Sequence, residues 1–272
     1  MLVDHAKKTV IFLFFLWVGP LALPQWAQAQ QPSDRSAQSS NDPITRRIEV
    51  LPTPYLWLPW VSVNVHPNNP QIQSRSNTID AGQVLTHLTW VPFMGEIEFR
   101  YGPYGVIADY IHAPLKSGAS TRDVLFSGAT AGLTIDTGTA MFLYRALEDR
   151  VQYVDIGGGV RAWGLAGDIS LNQGLLPPAV VSNGLSWADP MLAARYHRDL
   201  GNGFGATAYA DVGGFGVGAN VDWQLIALID YKVGPHLELH GGFRALNFNY
   251  DGPRANFKVH MYGPILGGTI HF

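Results

Sequence analysis

Along much of this chain ionisable and apolar side chains alternate residue by residue, and this period of two constrains the fold more than any other feature. Glu96, Glu98 and Arg100 share one parity, while Ile97, Phe99 and Tyr101 hold the other. Asp189, Arg195 and His197 oppose Leu192, Ala194 and Tyr196. Asp222, Gln224 and Asp230 oppose Val221, Trp223, Leu225, Ala227 and Ile229. His236, Glu238, His240 and Arg244 oppose Leu237, Leu239, Phe243 and Ala245. Successive side chains of a strand point to opposite faces, so each segment has one apolar and one charged face.

Twelve such segments can be marked: 47–60, 61–74, 89–101, 103–114, 121–136, 138–147, 150–165, 183–198, 203–216, 218–232, 236–250 and 256–272. They are rich in β-branched and aromatic residues and are parted by Gly, Pro, Asn or Asp. A soluble antiparallel sandwich would also alternate, with its apolar face inside. Two features favour a transmembrane barrel instead. The apolar face carries large aliphatics and aromatics in most segments, and the segments reach the roughly 9–11 residues that a tilted strand needs to cross a bilayer. Composition agrees. Charged residues are 14% of the chain and Gly numbers 30, against a usual charged share of about a quarter. Lipid would reject a cation at mid-depth at about 2–4 kcal/mol, so the charged face must look into the lumen. The expected fold is an antiparallel transmembrane β-barrel of about twelve strands, with ten and fourteen as alternatives. The longest connection, 166–183, is expected on the outside.

One segment breaks the alternation. Ile79, Val84, Leu85 and Leu88 fall at helical spacing behind Asp80, which predicts a short helix over 79–88, between strands 2 and 3. Residues 1–29 read as a cleaved signal peptide: Lys7 and Lys8, the apolar run Thr9 to Val18, then Ala27-Gln28-Ala29. Residues 30–46 are polar and read as a disordered periplasmic linker, and 47–272 as the barrel. The chain has no cysteine, and 18 basic against 21 acidic residues. That balance argues against a nucleic-acid partner.

By parity, the lumen candidates are Glu96, Glu98, Arg100, Asp109, Asp136, Arg145, Asp155, Arg161, Asp189, Arg195, Asp211, Asp222, Glu238 and Arg244. Buried charges must pair or be hydrated. One reading is a lattice of arginine–carboxylate pairs that stiffens a narrow barrel. The other is a ring of unpaired groups along a water column, whose acidic excess would favour cations. Trp163 shares parity with Arg161, which makes it a lumen exception or places it above the membrane. Tyr55, Trp57, Trp60, Trp90, Phe93, Tyr101 and Tyr104 are expected in interfacial girdles. Glycines 157–159, 213–214 and 241–242 read as packing devices.

The motifs resemble those of a broad group of proteobacterial outer-membrane β-barrel proteins with porin-like architecture. They are Pro54-Tyr55-Leu56-Trp57, Trp187-Ala188-Asp189-Pro190 with Ala194-Arg195-Tyr196, and Asp211-Val212-Gly213-Gly214-Phe215-Gly216. Trp223-Gln224, Gly242-Phe243-Arg244 with Asn249-Tyr250, and Gly263-Pro264 complete the set. Gly242-Phe243-Arg244 departs from the Gly-Tyr-Arg more usual in the group. The terminal segment, with Tyr262, Leu266, Ile270 and Phe272 on one parity, resembles the group's C-terminal assembly signal. The resemblance implies insertion into outer-membrane lipid by the barrel-assembly machinery. Lys258 and His260 share Phe272's parity, so strand 12 must leave the membrane or carry a bulge before reaching them.

Chemistry is sparser. His236-x-Glu238-x-His240 invites a metal, but i and i+4 on a strand stand about 13 Å apart. His271 should lie near His236, which makes that pair a weak candidate site, and the expectation is no metal. Ser186 and His197 have opposite parity, Ser170 and Ser182 fall in the expected outer connection, and there is no G-x-S-x-G elbow, so no enzyme is expected. No cofactor motif occurs. The function expected is a narrow, cation-preferring channel for small solutes, since open porins use about 16–18 strands. The alternative is a structural or interaction barrel closed by its charge lattice and inner helix, with a lipid-modifying enzyme as a distant third.

Overall fold

The computed structural model describes residues 48–67, 75–79, 93–120, 126–173, 179–252 and 255–272. Every described element is a strand: β1 (Ile48–Trp57), β2 (Trp60–Pro67), β3 (Arg75–Ile79), β4 (Phe93–Tyr101), β5 (Tyr104–Ser120), β6 (Phe126–Glu148), β7 (Gln152–Gln173), β8 (Ala179–Gly201), β9 (Phe204–Gly214), β10 (Val221–Lys232), β11 (Leu237–Asp251) and β12 (Ala255–Ile270). From β4 to β12 each strand pairs antiparallel with the next, and β1 joins the two ends by pairing with both β4 and β12. Ten strands therefore close the barrel.

The expected twelve becomes ten through two fusions. β1 and β2 face β12 in one unbroken register, from Tyr55↔Gly267 through Trp60↔Tyr262 to Pro67↔Ala255. They are one line interrupted at Leu58–Pro59, where Leu58 N donates to Pro264 O at 3.0 Å and Pro59 has no N–H to give. Residues 126–136 of one expected segment and all of 138–147 are likewise the single strand β6, which runs straight through Thr137-Gly138. β3 pairs with β2 alone among the described residues. The predicted helix over 79–88 begins on Ile79, the last residue of β3, and its remainder lies outside the described residues. So do the predicted signal peptide, the linker and Trp90.

The expected long connection at 166–183 is mostly strand. β6, β7 and β8 run 23, 22 and 23 residues, about twice what a bilayer needs. β5 follows β6 as far as Ser120↔Gly128, so at one end β5 to β8 together form the tall part of the wall among the described residues. At the opposite end the strands are joined by tight turns. Asn202 and Gly203 both take positive φ, 55° and 81°, the conformation a two-residue hairpin loop demands and an Asn-Gly pair supplies. Ile48 and Phe272 lie at this turn end, beside Tyr101 and His236 respectively.

The outer face carries an apolar belt. Tyr104, Val106, Phe142, Tyr144, Leu192, Tyr196, Leu225, Ile229, Tyr231, Phe243, Tyr262 and Leu266 are all exposed. β12 pairs with β11 without a bulge from Leu237↔Ile270 to Asp251↔Asn256. Lys258 and His260 therefore lie beyond the belt because the strand outruns it. Asp136 is a correction. Because β6 is continuous, Asp136 has the parity of Phe142 and faces outward, where Tyr110 Oη donates to it at 2.7 Å and His112 Nδ1 lies at 2.7 Å. Inward, the wall curves so closely that Cβ atoms at Gly242 and Gly263 would fall 1.9 Å and 2.0 Å from the carbonyl oxygens of Ala227 and Leu58. Only glycine fits these two places.

Candidate functional site

The lumen is divided along the barrel axis. Its turn-end half contains a cavity of about 490 Å³ that reaches the turn residues Asp149, Arg150 and Val151. Its far half holds a cluster of buried apolar side chains.

Charged groups line the chamber in linked clusters, each spanning strands remote in sequence. Nearest the turns, Arg195 forks onto Glu98 through Nη1–Oε2 at 2.6 Å and Nη2–Oε1 at 2.9 Å. Arg195 Nη2 and Arg100 Nη2 also donate to Asp155 Oδ2, at 2.7 and 2.8 Å. Arg100 Nε donates to Glu98 at 2.8 Å and Arg145 Nε to Asp155 Oδ1 at 3.0 Å. Three guanidiniums thus share two carboxylates. At the turn below, Asp149 accepts the N–H groups of Val151 and Gln152, which hold its carboxyl below the usual range.

Deeper in, Arg161 donates to Asp211 Oδ2 at 2.6 Å, to Asp222 Oδ1 at 2.8 Å and to Thr139 at 3.0 Å. Gln224 Nε2 completes Asp211 at 3.1 Å, and Trp163 Nε1 completes Asp222 at 2.8 Å. Arg161, Asp155, Asp189 and Asp222 are fully buried. Across the lumen Arg244 donates to Tyr55 Oη at 2.8 Å and to Asp109 at 3.3 Å, and Tyr55 donates to Asp109. Such pairs offset part of the desolvation of their charges through geometry and mutual hydrogen bonds, although Arg100 Nη1, Arg244 Nε and Gln224 Oε1 are buried without a partner.

A fourth cluster is built of histidines and carboxylates. His240 places Nδ1 2.8 Å from Asp230 Oδ1 and Nε2 2.7 Å from Thr269 Oγ1. Asp230 Oδ2 accepts from Thr207 at 2.6 Å, with His197 Nδ1 at 3.5 Å. His271 Nε2 stands 3.1 Å from Glu238 Oε2.

Above these clusters the character inverts. Trp57, Val61, Met94, Ile111, Trp163, Leu246, Phe248, Val259 and Met261 form one buried core inside the barrel. Trp163 of β7 and Phe248 of β11 meet from well-separated parts of the wall at 4.7 Å between ring centroids, and Trp187 packs on Tyr250 at 4.6 Å. The turn between β9 and β10 folds onto the same region. Ala219 is fully buried, and its N–H donates to Asp189 Oδ1 at 2.6 Å.

The sequence-derived candidates thus divide. Glu98, Arg100, Arg145, Asp155 and Arg195 meet in one cluster, and Arg161, Asp211 and Asp222 in another. Asp109 joins Arg244, Glu238 joins His271, and Glu96 lines the chamber. Asp189 is partnered by Trp187 Nε1 at 2.8 Å and by Ala219 rather than by arginine. His236 and His271 lie side by side as expected, the His236 carbonyl accepting from His271 N at 3.3 Å, but the His236 side chain is exposed on its turn while His271 is buried. Tyr55 and Trp57 are not girdle residues but lumen residues, 4% and 1% exposed. Their odd parity, shared with Leu51 and Thr53 of the chamber wall, was the available signal. The histidine cluster was hidden because Asp230 reaches His240 only through strand pairing.

No protein-family model and no curated protein matches the chain. Among solved structures, the attachment invasion locus protein Ail of Yersinia pestis aligns over 83% of this chain and 98% of its own, at 12% identity and TM-score 0.32. The Pseudomonas putida toluene transporter TodX aligns over 84% and 90%, at 9% identity and TM-score 0.31. Pseudomonas aeruginosa OccK1 aligns over 82% and 98%, at 6% identity and TM-score 0.22.

Proposed function

We propose that this chain is an outer-membrane β-barrel with a closed lumen, in which a hydrated chamber opens at the turn end and an apolar plug seals the other. The single observation that carries this reading is the far-half core, where Trp57, Met94, Leu246 and Phe248 are each at most 4% exposed inside the ring of strands. Beneath it, Arg161 with Asp211 and Asp222 adds a second, ionic floor that is also buried. The exposed aliphatic and aromatic belt fits lipid, and short turns are the periplasmic feature of such barrels, so the chamber faces the periplasm. Barrel-assembly machinery would deliver the chain, as the resemblance of Tyr262, Leu266, Ile270 and Phe272 implies. The reading assigns no reaction: Ser186 faces outward while His197 faces the chamber.

The narrow, cation-preferring channel expected from sequence is the competing reading, and the acid-rich chamber is what favours it. Planar-bilayer recording separates the two. The purified wild type is expected to give no conductance steps, whereas Trp163→Ala combined with Phe248→Ala opens a path and gives steps. Steady steps from the wild type with cation selectivity would overturn the closed reading in favour of the channel.

A further inference from the structure

Strand pairing assembles a ligand set that neither strand contains alone. Asp230 of β10 is the cross-strand partner of His240 of β11, and Glu238 precedes His240 by two residues on the same inward face. One donor atom from each of Asp230, Glu238 and His240 lies within 4.8 Å of the other two. All three line the chamber on its turn-end side. They also differ from Glu98 and Asp109 of the same wall and from Asp155. Glu98, Asp109 and Asp155 meet arginine, whereas Asp230 and Glu238 meet histidine.

We propose that Asp230, Glu238 and His240 bind one divalent transition-metal ion of the zinc, copper or nickel type at the chamber wall. An imidazole with two carboxylates suits these ions, whereas calcium and magnesium prefer oxygen alone. Around a tetrahedral zinc ion, donors lie about 2.0–2.2 Å from the metal and so roughly 3.3–3.6 Å from each other. Reaching that spacing from 4.8 Å or less asks for side-chain movement of about 1.5 Å at most. One of the two ring hydrogen bonds of His240 gives way to the metal, and the other keeps the ring oriented. Thr207 does the same for Asp230, and His271 for Glu238. Both carriers of the site are barrel strands, so the geometry is held by the wall itself. The site lies outside the plug and does not depend on whether the lumen conducts.

The test uses the full barrel refolded in detergent micelles, with folding checked for each variant by heat-modifiable gel mobility. Calorimetric titration with ZnCl₂ is expected to show one saturable site that excess Ca²⁺ and Mg²⁺ do not displace. His240→Gln and Glu238→Gln, two independent variants, are each expected to weaken zinc binding by at least about 10–100-fold. His236→Gln, at the exposed turn, should leave it unchanged. With Cu²⁺, electron paramagnetic resonance should show nitrogen coupling that His240→Gln removes. The proposal is overturned if the wild type shows no saturable zinc binding, if folded His240→Gln and Glu238→Gln bind as the wild type does, or if His236→Gln loses binding equally. Conductance recordings read the closed-lumen reading separately, so either idea can fail without the other.

Discussion

The two halves of the lumen are built from the same inward-facing parity and yet have opposite chemistry. Along β7 the inward residues run Tyr153, Asp155, Gly157, Gly159, Arg161 and Trp163, so the strand passes from an ion cluster to an aromatic core within a few residues. Along β11 they run Glu238, His240, Gly242, Arg244, Leu246 and Phe248 in the same order of character. Charges concentrate where the chamber admits water or where a partner reaches across. Apolar residues concentrate where side chains from several strands pack against one another. Inwardness and polarity are therefore separate properties: the first is set by the pleat, the second by what stands opposite.

The contrast can be broken most forcefully at the ionic floor. Arg161→Leu would leave Asp211 and Asp222 buried beside an apolar side chain. A loss of about 3–5 kcal/mol is expected, read from denaturant unfolding in micelles. Adding Asp211→Asn and Asp222→Asn should recover much of that loss; no recovery would mean that the charges are not what the floor depends on.

In the far half the expected cost has a different cause. Leu246 is fully buried in the plug, and Leu246→Ala should cost about 2–5 kcal/mol through lost burial and the cavity left behind. Unlike the change at Arg161, this loss should not be recovered by adding Asp211→Asn and Asp222→Asn. The same unfolding measurement on that combined variant checks it.

The smallest effect belongs to the chamber rim. The side chain of Arg145 is 13% exposed, and Asp155 keeps Arg100 and Arg195 when it is removed. Arg145→Ala is expected to cost about 0–1 kcal/mol. A loss as large as that of Arg161→Leu would show that the chamber is as desolvated as the floor and erase the distinction between the halves.

Parts of this organisation were legible in the sequence because alternation is local. Glu98, Arg100, Asp189 and Arg195 could be placed inward from their immediate neighbours. The strand count was less legible, since a continuous strand and two strands separated by a turn look alike when small residues intervene, as at Thr137-Gly138. That one ambiguity also reversed the face of Asp136. The interruption at Leu58-Pro59 misled in the same sense, because a proline interrupts hydrogen bonding without turning the chain.

By itself, then, the sequence determined that the described part of the chain is all-β, which residues of most strands face inward, and where the apolar outer face lies. These follow from a two-residue period carried in each segment. Only the tertiary structure decided that ten strands close the ring, that Arg195 meets Glu98 and Arg244 meets Tyr55, that Asp230 joins His240 and Glu238, and that Trp163 and Phe248 fill the far lumen. Those contacts depend on closure, stagger and strand register, which relate residues as far apart as 189 positions and leave no mark in any local pattern.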